Sequence, residues 1–164
     1  MTPDLQSLFQ RITQGVYVIG VVDGEKRNAF TAAFVMQASF DPLLIVLSIN
    51  RQHSCYGTLK KGRAFSVNVL KKGQLDVAAH YGRPAHTDKL ASTSWTTGLT
   101  GAPLLDEALA WFECEAVAEH PAGDHVLVLG KVVGGELIDE KAEPLIYRET
   151  GDMDGASALY PKKF

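Results

Sequence analysis

Strand-like runs succeed one another along this chain with only short helical stretches between them, and that constrains the fold more than any motif. Val16 to Val22 is rich in β-branched and aromatic residues and stops at Asp23-Gly24, a hairpin turn signal. The returning strand covers 26–34, and Asp41-Pro42 breaks the extended run, because proline lacks a donor and restrains the residue before it. Leu43 to Asn50 reads as a strand buried on both faces, and Ala64 to Leu70 alternates. Leu109 to Ala118 also alternates, with Ala110, Phe112, Cys114 and Ala116 on one face. The chain turns over 120–124, and His125 to Val133 returns. Gly134-Gly135 allows a bulge before Glu136 to Ile138, and Pro144 to Arg148 makes a short last strand. Parallel strands would need a helical crossover at almost every connection. Six or seven strands without such helices predict a mainly β chain closed as an antiparallel barrel.

Three short helices are expected at its periphery. Thr2-Pro3 starts one, with Leu5, Leu8, Phe9 and Ile12 as a buried stripe and Gly15 at its end. A second covers 53–61, with Ser54 as cap and Gly62 past the end. Gly57 inside it costs about 1 kcal/mol relative to alanine, tolerable where backbone passes close to something. The third, 73–81, is expected to bury Leu75, Ala78 and Ala79. Residues 82–103 hold Gly, Pro, Ser and Thr in quantity and read as an irregular, functionally available excursion.

At 164 residues the chain suits one domain, 1–164, with a single core. A net charge of −3 with scattered Lys and Arg argues against nucleic acid as the main partner. Apolar runs such as Leu43 to Leu47 are too short to span a bilayer, and no basic-then-apolar leader opens the chain. Cys55 and Cys114 lie in no CxxC or metal-like spacing. A reduced, cytoplasmic protein without a membrane partner is the simple reading.

Chemistry comes down to few residues. There is no GxSxG elbow and no GxGxxG fingerprint. His80 with His86, and His120 with His125, lack the spacing of HExxH or of a structural zinc site, so no metal is expected. What does stand out is Thr31, Ala32, Ala33, Ala38, Ser39 and Ser48, small or hydroxyl residues where a packed core carries large ones. Small side chains leave backbone N–H and C=O groups open to a flat ligand. Asn68, in an alternating strand, reads as a structural hydrogen-bonder.

Thr31 to Pro42, Leu43 to Ser48, Phe65 to Leu70, Gly123 to Val132 and Pro144 to Tyr147 together resemble, in order and spacing, the flavin reductase-like family of FMN-binding split barrels. Gln37-Ala-Ser-Phe-Asp-Pro42 most resembles the branch found as the flavin reductase domain of diiron flavoproteins. The resemblance implies a homodimer with one flavin per subunit near the interface, FMN or alternatively FAD, and NADH or NADPH as hydride donor. By the same pattern Asn28, Phe30, Thr31, Ala32, Ala33, Gln37, Ala38, Ser39, Ser48, Ile49 and Asn50 border the isoalloxazine and ribityl chain. Ser54 and the helix it opens meet the phosphate, Arg51 and His53 add charge, and His125 lies where the nicotinamide stacks. A plain helix cap for Ser54 and a backbone-satisfied turn for His125 are the competing readings. Arg83, in the family's variable lid segment 81–89, reads as a phosphate ligand or a solvated side chain, and Tyr147 as a flavin contact or core. The chain departs from many relatives at Leu43, where they carry a second proline, and at Ala33 and Gln37, where they carry hydroxyls.

The activity so implied is an NAD(P)H:flavin oxidoreductase that supplies reduced flavin to a separate monooxygenase, or electrons to another redox protein. Two alternatives use the same fold. One is a flavoredoxin-like FMN electron carrier without its own dinucleotide site, and the other is a non-catalytic barrel holding flavin or haem.

Overall fold

A computed structural model describes residues 4–84 and 87–164. Among these, β1 (Tyr17–Asp23), β2 (Lys26–Ala32), β3 (Val35–Ser39), β4 (Leu44–Asn50), β5 (Ala64–Val69), β8 (Ala110–Ala122) and β9 (His125–Leu137) form one antiparallel sheet in the order β2-β1-β5-β8-β9-β4-β3. A separate pair, β6 (Trp95–Thr97) and β7 (Pro103–Leu105), gives the excursion its own small hairpin. The helices are α1 (Leu5–Phe9), α2 (Tyr56–Gly62) and α3 (Leu75–Tyr81). None is long and apolar enough to cross a membrane.

The order itself requires a curled sheet. β2 and β3 are its two edges, yet only Ala33 and Phe34 separate them in the chain. Laid flat, seven strands at about 4.8 Å would hold the edges roughly 29 Å apart. Three Cα steps reach only about 11 Å. The sheet therefore rolls into a barrel, and Ala33-Phe34 bridges its split. Ile19, Val21, Leu47, Ile49, Phe65, Val67 and Val128 fill the interior. Val16, Val18, Ala29, Leu70, Ala78, Tyr81 and Leu105 build a second cluster outside β1, under α3 and the excursion.

Several expectations are corrected. The Thr2-Pro3 start lies outside the described residues, and of the N-terminal stripe only Leu5 is buried; Leu8, Phe9 and Ile12 are 48%, 49% and 61% exposed. A helix of five residues turns too little surface to the barrel to bury four. Residues 35–39 form a strand of their own, paired with β4, and β4 buries one face while the other is half-covered. β8 runs on to Ala122, so the turn is only Gly123-Asp124, with Gly123 at φ +64°. In β8 a register shift at Glu113/Cys114, opposite 132–134, buries both neighbours and interrupts the alternation. Pro144 to Arg148 makes only isolated bridges, Lys71 to Pro144 and Gly15 to Ile146, before a 3-10 turn at Tyr147–Thr150. In α3, Ala78 and Tyr81 are buried, whereas Leu75 and Ala79 are exposed.

Buried polar groups tie the excursion down. Glu113, 2% exposed, accepts from the amides of Leu99 (3.1 Å) and Thr100 (2.9 Å) and from the Thr100 hydroxyl (3.0 Å). Asn68 is the structural bonder expected. Its amide donates to the carbonyls of Val18 (3.0 Å) and Pro103 (3.3 Å), and its oxygen accepts from the Leu105 amide at 2.8 Å. Asn68→Leu keeps the volume and strands those partners, so stability is expected to fall by about 3 kcal/mol. Urea unfolding with an unchanged slope would register it; a loss under about 1 kcal/mol would mean that water replaces the amide.

Candidate functional site

A cleft opens where β2 crosses to β3. Its deeper lobe, ≈ 400 Å³, runs under Ala78, Tyr81 and Arg83 at the end of α3. A rim lobe of ≈ 160 Å³ continues past Ser48, Ile49 and Asn50 to His125. Phe30, Thr31, Ala32, Ala33, His53, Tyr147 and Asp154 line both. A groove with the deeper lobe's volume lies across α3, with Asp76, His80 and Glu107 in its wall, and contains none of the β2 residues.

Antiparallel register explains the rim. Asn50 pairs with His125, Ile49 with Val126 and Ser48 with Leu127, so the end of β4 and the start of β9 arrive together. Arg51 fixes this corner: its guanidinium bonds the Gly123 carbonyl and its amide reaches the Asp124 carbonyl at 3.4 Å. His125 Nδ1 lies 2.6 Å from Asp124 Oδ1, a contact that holds the Asp124 carboxyl below the usual carboxylate range. The His125 ring sits 5.7 Å from that of Phe34.

Of the small residues that the sequence singles out, Thr31, Ala32, Ala33 and Ser48 line the cleft, beside the larger Phe30, His53 and Tyr147. Thr31 spends its hydroxyl on the Ala78 carbonyl (2.6 Å), which fastens α3 across the cleft. At the far wall the Tyr147 hydroxyl bonds the Asp154 carboxylate, and burial, together with that carboxylate, pushes the phenol pKa up.

The expectation that His53 adds charge is corrected. Its ring packs against that of Phe30, tilted by 40° with centroids 4.3 Å apart, and its Nδ1 accepts the Cys55 amide at 3.1 Å. Burial, helped by the charge of Lys89, lowers its pKa, which favours the uncharged ring over a cation. Lys89 is the residue that sequence reasoning misses, since a lysine in a polar loop reads as solvated. It is 2% exposed, and its ammonium donates to the carbonyls of Tyr81 and Arg83, both at 3.1 Å. It thereby staples the chain after α3 to the cleft wall; burial lowers its pKa.

Not every sequence candidate converges on the cleft. Phe30, Thr31, Ala32, Ala33, Ser48, Ile49, Asn50, Arg83, His125 and Tyr147 do. Asn28 is on β2 opposite Val21, its side-chain oxygen taking the Ala29 amide. Gln37 lies on edge strand β3 in a separate apolar depression with Tyr17, Leu43 and Phe112; Ala38 is exposed and Ser39 half-buried beside it. Ser54 is exposed, and the helix starts later than expected: Cys55 stands at its N-cap with no side-chain cap, and Gly62 is its last residue. Within the 81–89 segment, Ala85 and His86 lie outside the described residues.

Comparison with known proteins covers nearly the whole chain. The family described as Flavin reductase like domain matches residues 9–155. A "Probable flavin reductase" of Rhizobium meliloti is 32% identical over 133 residues, 80% of this chain and 42% of that protein, so the chain spans under half of that relative. The solved structure of BorF, "the Flavin Reductase Component of a Bacterial Two-Component Tryptophan Halogenase", superposes with a TM-score of 0.79 at 33% identity, covering 89% of this chain and 92% of that one. The Streptomyces globisporus NADH:FAD oxidoreductase SgcE6 gives 0.80 at 27% identity, covering 87% and 85%. Sequence match, barrel and cleft agree, and the chain belongs to the flavin reductase like domain family.

Proposed function

We propose that this protein is an NAD(P)H-dependent flavin oxidoreductase, with flavin in the two-lobed cleft and reduced nicotinamide meeting it at the His125 rim. The observation that carries the reading is the cleft itself. Its lobes of ≈ 400 Å³ and ≈ 160 Å³ share Ala32 and Ala33 in their lining, and methyl side chains take up little of that space. When bound, a flavin accepts hydride from nicotinamide by its own chemistry. The chain's residues hold and orient. Ala32 and Ala33 let backbone approach a flat ligand, Phe30 and His53 make a stiff wall, and Arg83, exposed beside the larger lobe, offers its charge to an anionic group. Asp124 fixes the His125 imidazole at the entrance, where it orients the second ring.

A second copy of the chain completes the surface on this reading. Phe34, Met36, Phe40 and Leu43, on or beside edge strand β3, are all more than 40% exposed, and pairing them in a homodimer would cover the apolar edge. Reduced flavin would then pass to a separate oxygenase; BorF, named as the flavin reductase component of a two-component halogenase, supports a partnered role of this kind. FMN or FAD, and NADH or NADPH, are choices for experiment.

The test is a spectrum of the purified protein with FMN or FAD, before and after anaerobic NADH or NADPH. Bleaching of the flavin bands is expected; a protein that binds neither flavin would overturn the reading. His125→Ala should lower kcat/KM for nicotinamide about tenfold or more while flavin Kd moves less than about threefold. Unchanged turnover would remove His125 from the role.

A further inference from the structure

We infer that His53 is locked as the neutral tautomer carrying its proton on Nε2, and that this N–H donates to a flavin oxygen or nitrogen where the two lobes meet. The second half rests on the proposed function; the first does not.

Histidine has two ring nitrogens, and in the neutral form one donates while the other accepts. The backbone amide of Cys55 points at Nδ1 from 3.1 Å, so Nδ1 must present its lone pair and the proton belongs on Nε2. Phe30, 4.3 Å away, holds the ring plane. No described residue takes a hydrogen bond from Nε2, and His53 lines both lobes.

Protonating Nδ1 would set two N–H groups against each other and add a cation near the Lys89 ammonium. The charged or titratable groups around the ring come from every neighbouring element: Cys55 from its own turn, Lys89 from the excursion, Arg83 after α3, His125 at β9, and Tyr147 with Asp154 from the C-terminal turn. Among these described groups Asp154 carries the carboxylate that favours a cation, and it already accepts the Tyr147 hydroxyl. A neutral donor serves this position in a way an imidazolium would not. It selects for an acceptor on the ligand, and its bond keeps one strength as pH passes through the ordinary histidine range.

Two measurements decide it. In ligand-free protein labelled with ¹⁵N-histidine, and assigned by loss of the signal in His53→Gln, His53 should keep the Nε2–H pattern from about pH 8 to about pH 6. An Nδ1–H or imidazolium pattern at neutral pH would overturn the lock. Flavin affinity tests the donation. His53→Phe retains a ring against Phe30 but no donor, and should weaken FMN about tenfold. His53→Gln, whose amide N–H can stand near Nε2, should stay within about threefold of wild type. Equal binding by wild type and His53→Phe would overturn the donation. Wild-type protein that binds no flavin would instead defeat the proposed function together with the donation, with the tautomer result still separately readable.

Discussion

Gly62→Ala is expected to leave little folded protein. Gly62 closes α2 where the helix meets β1, and an added Cβ would fall 1.6 Å from the Val22 carbonyl oxygen and 2.7 Å from its carbon. Both neighbours are backbone, so no side-chain rotation relieves the clash. Val22 cannot retreat either: it pairs with Arg27 in the β1–β2 hairpin, and Ala64 and Ala102 pack beside it. Moving α2 instead would unseat Leu59, which is fully buried in the barrel. Displacing a packed element costs about 4 kcal/mol or more, a large part of the roughly 5–15 kcal/mol that holds an ordinary domain together. Circular dichroism through a thermal ramp should show no cooperative transition, or one lowered by well over about 10 °C. Gly57→Ala is the control. Nothing lies within 4 Å of its added Cβ, so this substitution should stabilise by about 0.5–1 kcal/mol. A Gly62→Ala protein as stable as wild type would mean that α2 does not approach β1 as described.

The contrast between these two glycines marks where sequence reasoning stops. Inside a predicted helix, Gly57 draws the expectation of a close backbone approach, and the close approach is at Gly62, expected to lie beyond the helix. Composition says that a glycine is present; only the packing of α2 on β1 says which one has no room. The barrel strands are legible because period-2 alternation is local, and β1, β5 and β9 lie near where the pattern puts them. β3 is not separable from β2 in the sequence, since Ala33-Phe34 carries no turn signal. The change of sheet edge there is a property of closure, which no local window contains. At the candidate site, the run 31–33, Ser48 and Asn50 of β4, and His125 are readable as small or polar residues in strand context. Lys89 is not, because burial of a loop lysine depends on carbonyls that α3 brings from outside its own segment. Ser54 shows the reverse error: a hydroxyl ahead of a helical run is a capping signal, but here the helix begins later and the serine is left in solvent.

Ala33→Trp is expected to abolish flavin binding without unfolding the chain. Ala33 lies in the two-residue bridge between the sheet edges and lines both lobes, so an indole there would occupy the junction that a flavin in the proposed site would cross. The residue is half-buried and lies outside the core clusters, which leaves the larger side chain free to enter the cleft and not the barrel interior. Its carbonyl accepts the Val35 amide at 3.1 Å, a bond that any L-residue can supply. Stability should therefore change by less than about 1 kcal/mol, while flavin Kd rises about 100-fold or more, measured by quenching of flavin fluorescence. Turnover with NADH or NADPH should fall in parallel, because occupancy and not chemistry has been removed. Ala33→Ser separates bulk from polarity: it adds a hydroxyl with little volume and should bind flavin at least as tightly as wild type. Were Ala33→Trp to bind flavin normally while folding normally, the ligand would have to sit elsewhere, and the groove across α3 would be the next place to look.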